Sequence, residues 1–202
     1  MKGRGLIFVV SGPSGSGKST LVAGLLKDRC LRSKLVKSVS VTTRPKRSGE
    51  KDKKDYFFIS EKAFRERLRA KKILEWTKYL RYYYGTPREF VEEQFRKGKH
   101  IILCLDFKGV LQIKRLMPRN IITIFILPPS LEALRLRIKE RCRLIREKEI
   151  RQRLGLAKRE MQLVRRYDYC VENRDLKQAI NSLKKIVLGK IGTRPQQEVA
   201  GR

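Results

Sequence analysis

The chain has 202 residues, 41% of them hydrophobic, which is enough for one α/β core with small inserted lobes. Its formal net charge of +30 predicts attraction to polyanions, which include nucleotides and nucleic acids, although no recognised nucleic-acid motif is present. No apolar run reaches the roughly 20 residues of a membrane span. The single histidine, His100, excludes a histidine triad or a zinc cluster built on histidines within this chain.

Hydrophobic patterning predicts strands and helices that alternate along the chain. Strands are expected over residues 6–10, 36–41, 56–59, 73–79, 100–105, 121–127 and 169–171. Helices are expected over residues 20–27, 61–71, 87–97, 108–117, 131–143, 147–166 and 176–188, with Ser60, Thr86 and Ser130 as N-caps. This order favours a parallel sheet with right-handed crossovers. Four scattered cysteines and the lack of a cleavable leader pattern predict reduced thiols and a cytoplasmic location.

A glycine-rich loop lies between the first predicted strand and the first predicted helix. It matches the Walker A pattern G-x-x-x-x-G-K-[ST], in the strand–loop–helix setting that the pattern requires. The candidate ATP-binding residues are Gly12, Pro13, Ser14, Gly15, Ser16, Gly17, Lys18, Ser19 and Thr20. The glycines allow backbone amides to surround a phosphate, Lys18 can reach the β- and γ-phosphates, and the Ser19 hydroxyl can ligate Mg²⁺. The alternative is a Gly/Ser turn followed by an ordinary lysine.

Several later segments resemble guanylate kinases, in the order and spacing of that family. They are SVSVTTR at 38–44, Arg47, GE at 49–50, DY at 55–56, EW at 75–76, YYGT at 83–86, Asp106 and FILPPS at 125–130. The resemblance covers residues 5–188. It implies an α/β P-loop nucleoside monophosphate kinase fold, with a parallel-sheet core, an inserted GMP-binding lobe and a helical lid. It also implies a division into core (1–37, 89–129, 155–188), GMP-binding lobe (38–88), lid (130–154) and tail (189–202).

The resemblance implies an ATP:GMP phosphotransferase that uses Mg²⁺ and yields GDP and ADP. Glu75 would accept hydrogen bonds from guanine N1–H and N2–H, while Ser40 and Thr86 would donate to O6. Adenine would leave Glu75 facing a lone pair, and a site built on polar pairing rejects the wrong base strongly. Taken alone, Glu75 could also be an ordinary surface acid.

The same resemblance assigns residues to the phosphates. Two arginines and two tyrosines would hold the GMP phosphate: Arg44, Arg47, Tyr56 and Tyr84. Three lid arginines would act with Lys18 in catalysis: Arg137, Arg141 and Arg153. Asp106 would contact the GMP side and position Lys18 or magnesium-bound water, and Asn173 would contact adenine. In so basic a chain, Arg44 and Arg47 could alternatively be a solvated loop pair.

The sequence also departs from the family pattern. Cys104 stands where the family usually has the first acid of D-x-D, and residues 139–142 (KERC) lack the glycines of the usual R-G-R-G lid. Three other functions stay open: a non-enzymatic scaffold module, a P-loop kinase for another phosphorylated small molecule, and an RNA-associated protein. We expect a monomer or a homodimer that has no membrane contact and has non-specific affinity for nucleic acid.

Overall fold

The computed structural model describes residues 5–141 and 146–192, the side chain of residue 141 excepted. The strands are β1 (Ile7–Ser11), β2 (Leu35–Lys37), β3 (Val41–Thr42), β4 (Phe57–Phe58), β5 (Ile73–Tyr79), β6 (Tyr82–Pro87), β7 (His100–Cys104), β8 (Ile121–Leu127) and β9 (Tyr169–Glu172). The helices are α1 (Lys18–Leu25), α2 (Glu61–Arg69), α3 (Arg88–Arg96), α4 (Phe107–Leu116), α5 (Leu131–Arg141), α6 (Glu147–Met161) and α7 (Leu176–Gly192). A short 3₁₀ helix spans Val164–Arg166.

Five parallel strands form the central sheet in the order β2-β7-β1-β8-β9, which confirms the predicted parallel core. β1 lies in the middle and is buried on both faces. Ile7 and Val9 pack on one side with residues of α3 and α4, and Phe8 and Val10 pack on the other side with residues of α1 and α7. Such a strand has to be apolar throughout, as β1 is. The loop that follows β1 is thereby fixed at the carboxyl edge of the sheet.

Residues 41–87 contribute a separate four-stranded sheet in the order β4-β3-β6-β5. Its β5–β6 and β3–β6 pairs are antiparallel, and Phe64 of α2 packs on it with Val41 and Ile73. Ser60 caps α2 as predicted, since its hydroxyl accepts a hydrogen bond from the Ala63 N–H. The turn-rich segment therefore builds its own small core, apart from the central sheet.

Several element boundaries differ from the prediction, and four of these differences have a clear structural cause. The strand expected over residues 36–41 is two strands, β2 and β3, which belong to different sheets. Thr86 is not a helix N-cap, because it lies in β6 and its hydroxyl bonds a glutamate, so α3 begins after Pro87. α6 ends at Met161 instead of residue 166, because the chain turns there towards β9. α7 continues to Gly192 rather than ending at 188, since its apolar face still packs on the core at Val187 and Ile191.

Two predictions reach residues outside the described part of the chain. They are the end of the helix predicted to reach residue 143 and the rest of the predicted tail, residues 193–202. Among the described residues, no helix is both long enough and apolar enough to cross a membrane.

Candidate active site

A cleft of about 640 Å³ opens between the carboxyl edge of the central sheet and the second sheet. In open α/β sheets this edge is where ligands bind. The predicted site residues that line it are Gly12, Ser14, Gly15, Gly17, Lys18, Ser19, Thr20, Ser40, Arg44, Arg47, Tyr56, Glu75, Tyr84, Asp106, Arg137, Arg153 and Asn173. Pro13 and Ser16 lie within the turn of the glycine loop, and Thr86 lies buried beside Glu75. The side chain of Arg141 is outside the described part.

The glycine loop needs its glycines for both conformation and space. Gly17 has φ +94°, and a Cβ placed on it would lie 2.3 Å from the Asn173 Nδ2 atom. Gly17 is the N-cap of α1, and because it has no side chain it makes no capping hydrogen bond to the first N–H groups of that helix. A helix start of this kind favours an anion by its partial positive charge. The loop therefore has the geometry of a phosphate cradle.

The Lys18 ammonium group donates to the Gly12 carbonyl at 2.5 Å and to the Pro13 carbonyl at 2.9 Å. The side chain is thus folded back over its own loop, inside the cleft. A cation held by neutral carbonyls can exchange them for phosphate oxygens, which bind an ammonium more strongly.

Asn173 joins three parts of the site. Its side-chain Nδ2 donates to the Ser16 carbonyl at 2.8 Å, and its main-chain carbonyl accepts from Arg137 Nη2 at 3.2 Å. The Arg137 Nη1 and Ser16 Oγ atoms are buried and have no partner within the described structure. Leaving a buried donor unpaired costs about 1–3 kcal/mol, so an acceptor such as a phosphate oxygen would stabilise this arrangement.

Glu75 lies at the opposite end of the cleft and is only 2% exposed. It follows Leu74 at an irregularity in the β5–β6 register, and irregularities of this kind re-aim side chains. Its Oε1 accepts the Thr86 hydroxyl proton at 2.7 Å. Burial raises the pKa of Glu75 to about 7, the Thr86 hydrogen bond opposes this, and the nearby Asp106 charge adds to it. The burial contradicts the alternative of an ordinary surface acid.

Asp106 is the N-cap of α4, where its Oδ1 accepts the Gly109 N–H at 2.9 Å. Its Oδ2 accepts the Thr77 hydroxyl proton at 2.8 Å, which joins α4 to β5. The prediction singled out Asp106 but not Thr77, because that hydrogen bond spans 29 residues. Close by, Cys104 lines the cleft, and burial raises the pKa of its thiol. The thiol is thus neutral at pH 7, where the family pattern has an acid.

Arg44 is buried, so it is not a solvated loop residue. Its Nη2 alone donates to both Glu50 carboxylate oxygens, at 2.8 and 2.9 Å, and its guanidinium carbon lies 5.4 Å from the Tyr56 ring centroid. Tyr56 in turn contacts Tyr84 edge-on, with centroids 5.9 Å apart. The Glu50 carboxylate also accepts the Arg47 N–H. Glu50 therefore organises both arginines.

Tyr79 and Glu160 also line the cleft, and neither was among the predicted site residues. Burial together with the Glu160 charge raises the pKa of Tyr79 to about 12, while Arg153 and Ser14 oppose the shift. Glu160 lines the cleft, and burial and the Asp106 charge raise its pKa while Lys18 opposes the shift. Glu160 follows Arg153 by seven residues, which places both on one face of α6. This spacing could have indicated from the sequence that Glu160 shares the site with Arg153.

The comparisons with known proteins agree with this geometry. The family model described as "Guanylate kinase" matches residues 4–189. The chain is 38% identical to a guanylate kinase of Wolbachia pipientis wMel over 98% of both chains. It is 41% identical to a guanylate kinase of Caldanaerobacter subterraneus subsp. tengcongensis, over 93% of this chain and 89% of that one.

Among solved structures, the chain is similar to the guanylate kinase of Anaplasma phagocytophilum. The TM-score is 0.77 at 31% identity, and the match covers 98% of this chain and 89% of the other. The match extends over the central sheet and the second sheet together, since it spans nearly the whole chain. By sequence and by structure, this chain belongs to the guanylate kinase family.

Proposed function

We propose that the chain transfers the γ-phosphoryl group of ATP to GMP, with Mg²⁺, and produces ADP and GDP. The observation that carries this proposal is the arrangement of one cleft. A glycine loop with Lys18 lies at one end, and the buried Glu75–Thr86 pair lies at the other. Phosphoryl transfer leaves little covalent chemistry to the protein, so positioning and charge stabilisation are what such a cleft has to supply.

At the ATP end, we assign the β- and γ-phosphates to the glycine loop and Lys18, and the adenine side to Asn173. Ser19 is exposed at the start of α1 and lines the cleft, so its hydroxyl is accessible to a metal. In the described part of the chain, no group of three or more acidic, histidine or cysteine side chains could hold a metal alone. This fits Mg²⁺, which keeps several waters and takes substrate phosphates as ligands. When bound, Mg²⁺ would neutralise charge on the β- and γ-phosphates.

At the guanine end, the ionised Glu75 carboxylate would accept the N1–H and N2–H protons. Its Oε2 faces Gly109, where a Cβ would lie 2.7 Å away, so the carboxylate sits close against the start of α4. Ser40 lines the cleft and would donate to O6. Thr86 would donate to O6 as well once the guanine N–H groups replace its hydroxyl proton at Glu75 Oε1, because a hydroxyl has only one proton to donate. Because the pocket presents a buried acceptor, a base without those donors leaves that acceptor unpaired, and it is disfavoured.

For the GMP phosphate, we assign Arg44, Arg47, Tyr56 and Tyr84. The Arg44 Nε atom is buried without a partner in the described structure, which leaves a donor for a phosphate oxygen. Glu50 and the Tyr56 ring hold the guanidinium group in place. A preorganised guanidinium loses little freedom when a dianion binds.

For the transferred group, we assign Lys18, Arg137 and Arg153 to stabilise the developing charge, with Arg141 as a further candidate. Arg153 contacts the glycine loop already, through Ser14 Oγ at 3.3 Å, while its own helix holds it through Glu149. We propose that α5 and α6 act as the lid, residues 38–88 as the GMP-binding lobe, and the rest as the core. The carboxyl groups of Asp106 and Glu160 lie in the same cleft and would orient the Lys18 ammonium group.

Two alternatives fit the described residues less well. A scaffold module that transfers no phosphate has no use for a phosphate cradle in which Lys18, the positive-φ glycines and an unpaired Arg137 donor occur together. A P-loop kinase for another small phosphorylated molecule would not need a glutamate buried beside Thr86.

We further propose a cytoplasmic location, because Cys30, Cys104 and Cys170 are free thiols. We also propose that the protein is a monomer or a homodimer.

The test is phosphorylation of GMP, AMP, CMP and UMP by the purified protein with Mg²⁺ and ATP. We expect GMP to be preferred by at least about 10³-fold in kcat/KM, a discrimination typical of buried polar pairing. Lys18→Met should remove activity, and Lys27→Met, at an exposed position just beyond α1, should not. Preference for another base, or full activity in Lys18→Met, would overturn the proposal.

A further inference from the structure

The second sheet has an outer face, turned away from the cleft, that the proposed reaction does not use. Glu75 and Thr77 of β5 line the cleft, so Trp76 and Lys78 project to the other side. On β6, Tyr83 pairs directly with Lys78. Trp76 is 41% exposed, an unusual exposure for an indole ring.

The rings on this face are held in fixed positions. Phe64 is fully buried between α2 and the sheet, and it stacks on Tyr83 with centroids 5.3 Å apart. Trp76 contacts the same Tyr83 ring at 5.7 Å. The Trp76 backbone is fixed as well, because its N–H and carbonyl both hydrogen-bond the Gln112 side chain. The outermost aromatic surface is therefore attached to the core through a continuous stack of rings.

Cations surround these rings. The Arg65 guanidinium carbon lies 5.6 Å and the Lys78 ammonium nitrogen 5.2 Å from the Tyr83 ring centroid. Lys62 and Arg69 are exposed on the same side of α2 as Arg65, at helical spacings of three and four residues. Residues 61–83 hold eight lysines and arginines against three acids, one of which is the buried Glu75.

Acidic side chains offset only part of this charge. Glu61 pairs with Arg65 at 2.6 Å, but both side chains are more than half exposed. An exposed pair of this kind is weak and is screened by salt. A phosphate group can therefore replace the Glu61 carboxylate beside Arg65.

We propose that this outer aromatic face (Trp76, Tyr83, Arg65 and Lys78) binds single-stranded nucleic acid. A base would stack on Trp76, and the flanking phosphates would contact Arg65, Lys78 and the basic row on α2. Surfaces that bind single strands without sequence preference combine aromatic rings with a basic track in this way. The sequence alone did not show it, because the aromatic and basic residues come from α2, β5 and β6 and meet only in the fold.

The chemistry favours a single strand over other polyanions. A fixed, exposed ring can stack only on a base that is free of its own neighbours, which a duplex does not offer. An acidic peptide or an anionic membrane would use the cations but would have no specific use for the indole. RNA and DNA share the chemistry, and the experiment compares them.

Fluorescence tests the proposal directly, because Trp76 is the only tryptophan of the chain. Titration with 12-residue oligo(U) or oligo(dT), with excess GMP and ADP to fill the cleft, should quench this fluorescence saturably. Binding should weaken with salt with a logarithmic slope of roughly −2, as about three phosphate contacts would give. No quenching under conditions where a labelled oligonucleotide binds would overturn the stacking contact.

Variants test the same surface by anisotropy of a labelled oligonucleotide. Trp76→Ala should weaken binding about 5- to 100-fold, and Trp76→Phe, which keeps a ring, should weaken it less. Arg65→Glu with Lys78→Glu should weaken it more than about 10-fold and leave GMP phosphorylation unchanged. Lys177→Glu with Lys185→Glu, on exposed positions of α7, changes the net charge equally and should have little effect.

Three results would refute the proposal. One is equal weakening by the two charge-reversal pairs, which would indicate attraction by net charge alone. Another is duplex binding as tight as single-strand binding. The third is retention of full affinity in Trp76→Ala while that variant still phosphorylates GMP. The last control separates this proposal from the proposed kinase activity, because either can fail without the other.

Discussion

Glu75→Gln isolates the contact on which guanine selection depends. The substitution keeps the side-chain size and keeps an oxygen to accept the Thr86 hydroxyl proton, which lies 2.7 Å from Glu75 Oε1. It replaces the other carboxylate oxygen with an NH₂ group, which would face a guanine donor. Losing a charged hydrogen bond and leaving a buried donor unpaired together cost about 3–5 kcal/mol. We therefore expect kcat/KM for GMP to fall about 150- to 5,000-fold.

The same variant should be more stable than the parent protein at alkaline pH. Burial raises the pKa of Glu75 from 4.5 to about 7, so the folded state disfavours the ionised carboxylate. This destabilisation is absent below pH 4.5, grows as the pH rises, and is complete above about pH 7, where it amounts to about 3 kcal/mol. Glu75→Gln removes it. We expect a higher Tm at pH 8 and a smaller difference near pH 5.

The assay measures ADP release at varied GMP, alongside direct ATP binding and thermal unfolding. ATP affinity should change less than about threefold, because Glu75 lies in the second sheet and the glycine loop follows β1. Glu92→Gln, on an exposed position of α3, is the matched control and should behave as the parent. A GMP effect below tenfold, or equal losses for GMP and ATP, would refute the assigned role of Glu75.

Three further predictions concern the same cleft. First, kcat/KM for GMP should fall about tenfold per pH unit below pH 7, since protonated Glu75 cannot accept two hydrogen bonds; Thr86→Val should move this fall to higher pH, because the Thr86 hydrogen bond lowers the pKa of Glu75. Coinciding pH profiles of the two proteins would contradict this. Second, Gly17→Ala should weaken ATP binding more than about tenfold, because its Cβ meets Asn173, whereas Gly49→Ala, also at positive φ but in open space, should not. Third, Arg44→Lys should raise KM for GMP about 10- to 100-fold, because an ammonium cannot pair with Glu50 and also offer the separate Nε donor to the phosphate; Arg29→Lys, at an exposed position, should leave KM unchanged.

The parts of the fold that local sequence determines were predictable. β1, the glycine loop and the start of α1 follow one another within 20 residues, and each has a local signal: an apolar run, glycines, then helical spacing. The Ser60 N-cap is local too. The strand expected over residues 36–41 divides between two sheets because apolar residues suit either sheet, and only long-range pairing decides which one a residue joins.

Contacts between distant segments were not predictable from the sequence. The hydrogen bonds from Thr77 to Asp106 and from Asn173 to Ser16 join residues 29 and 157 positions apart. Family resemblance indicated that Glu75 and Thr86 act near the same base, but not that Thr86 bonds the carboxylate. For Arg44, charge alone allowed a solvated residue, and only the packing of Tyr56 and Glu50 around it shows that it is buried.

A crystal structure of the protein with GMP and ADP bound tests the central claim most directly. We expect guanine N1 and N2 within about 3 Å of the Glu75 carboxylate, with the GMP phosphate at Arg44 and the ADP phosphates in the glycine loop. A guanine bound elsewhere, with Glu75 still paired only to Thr86, would contradict the proposed reaction.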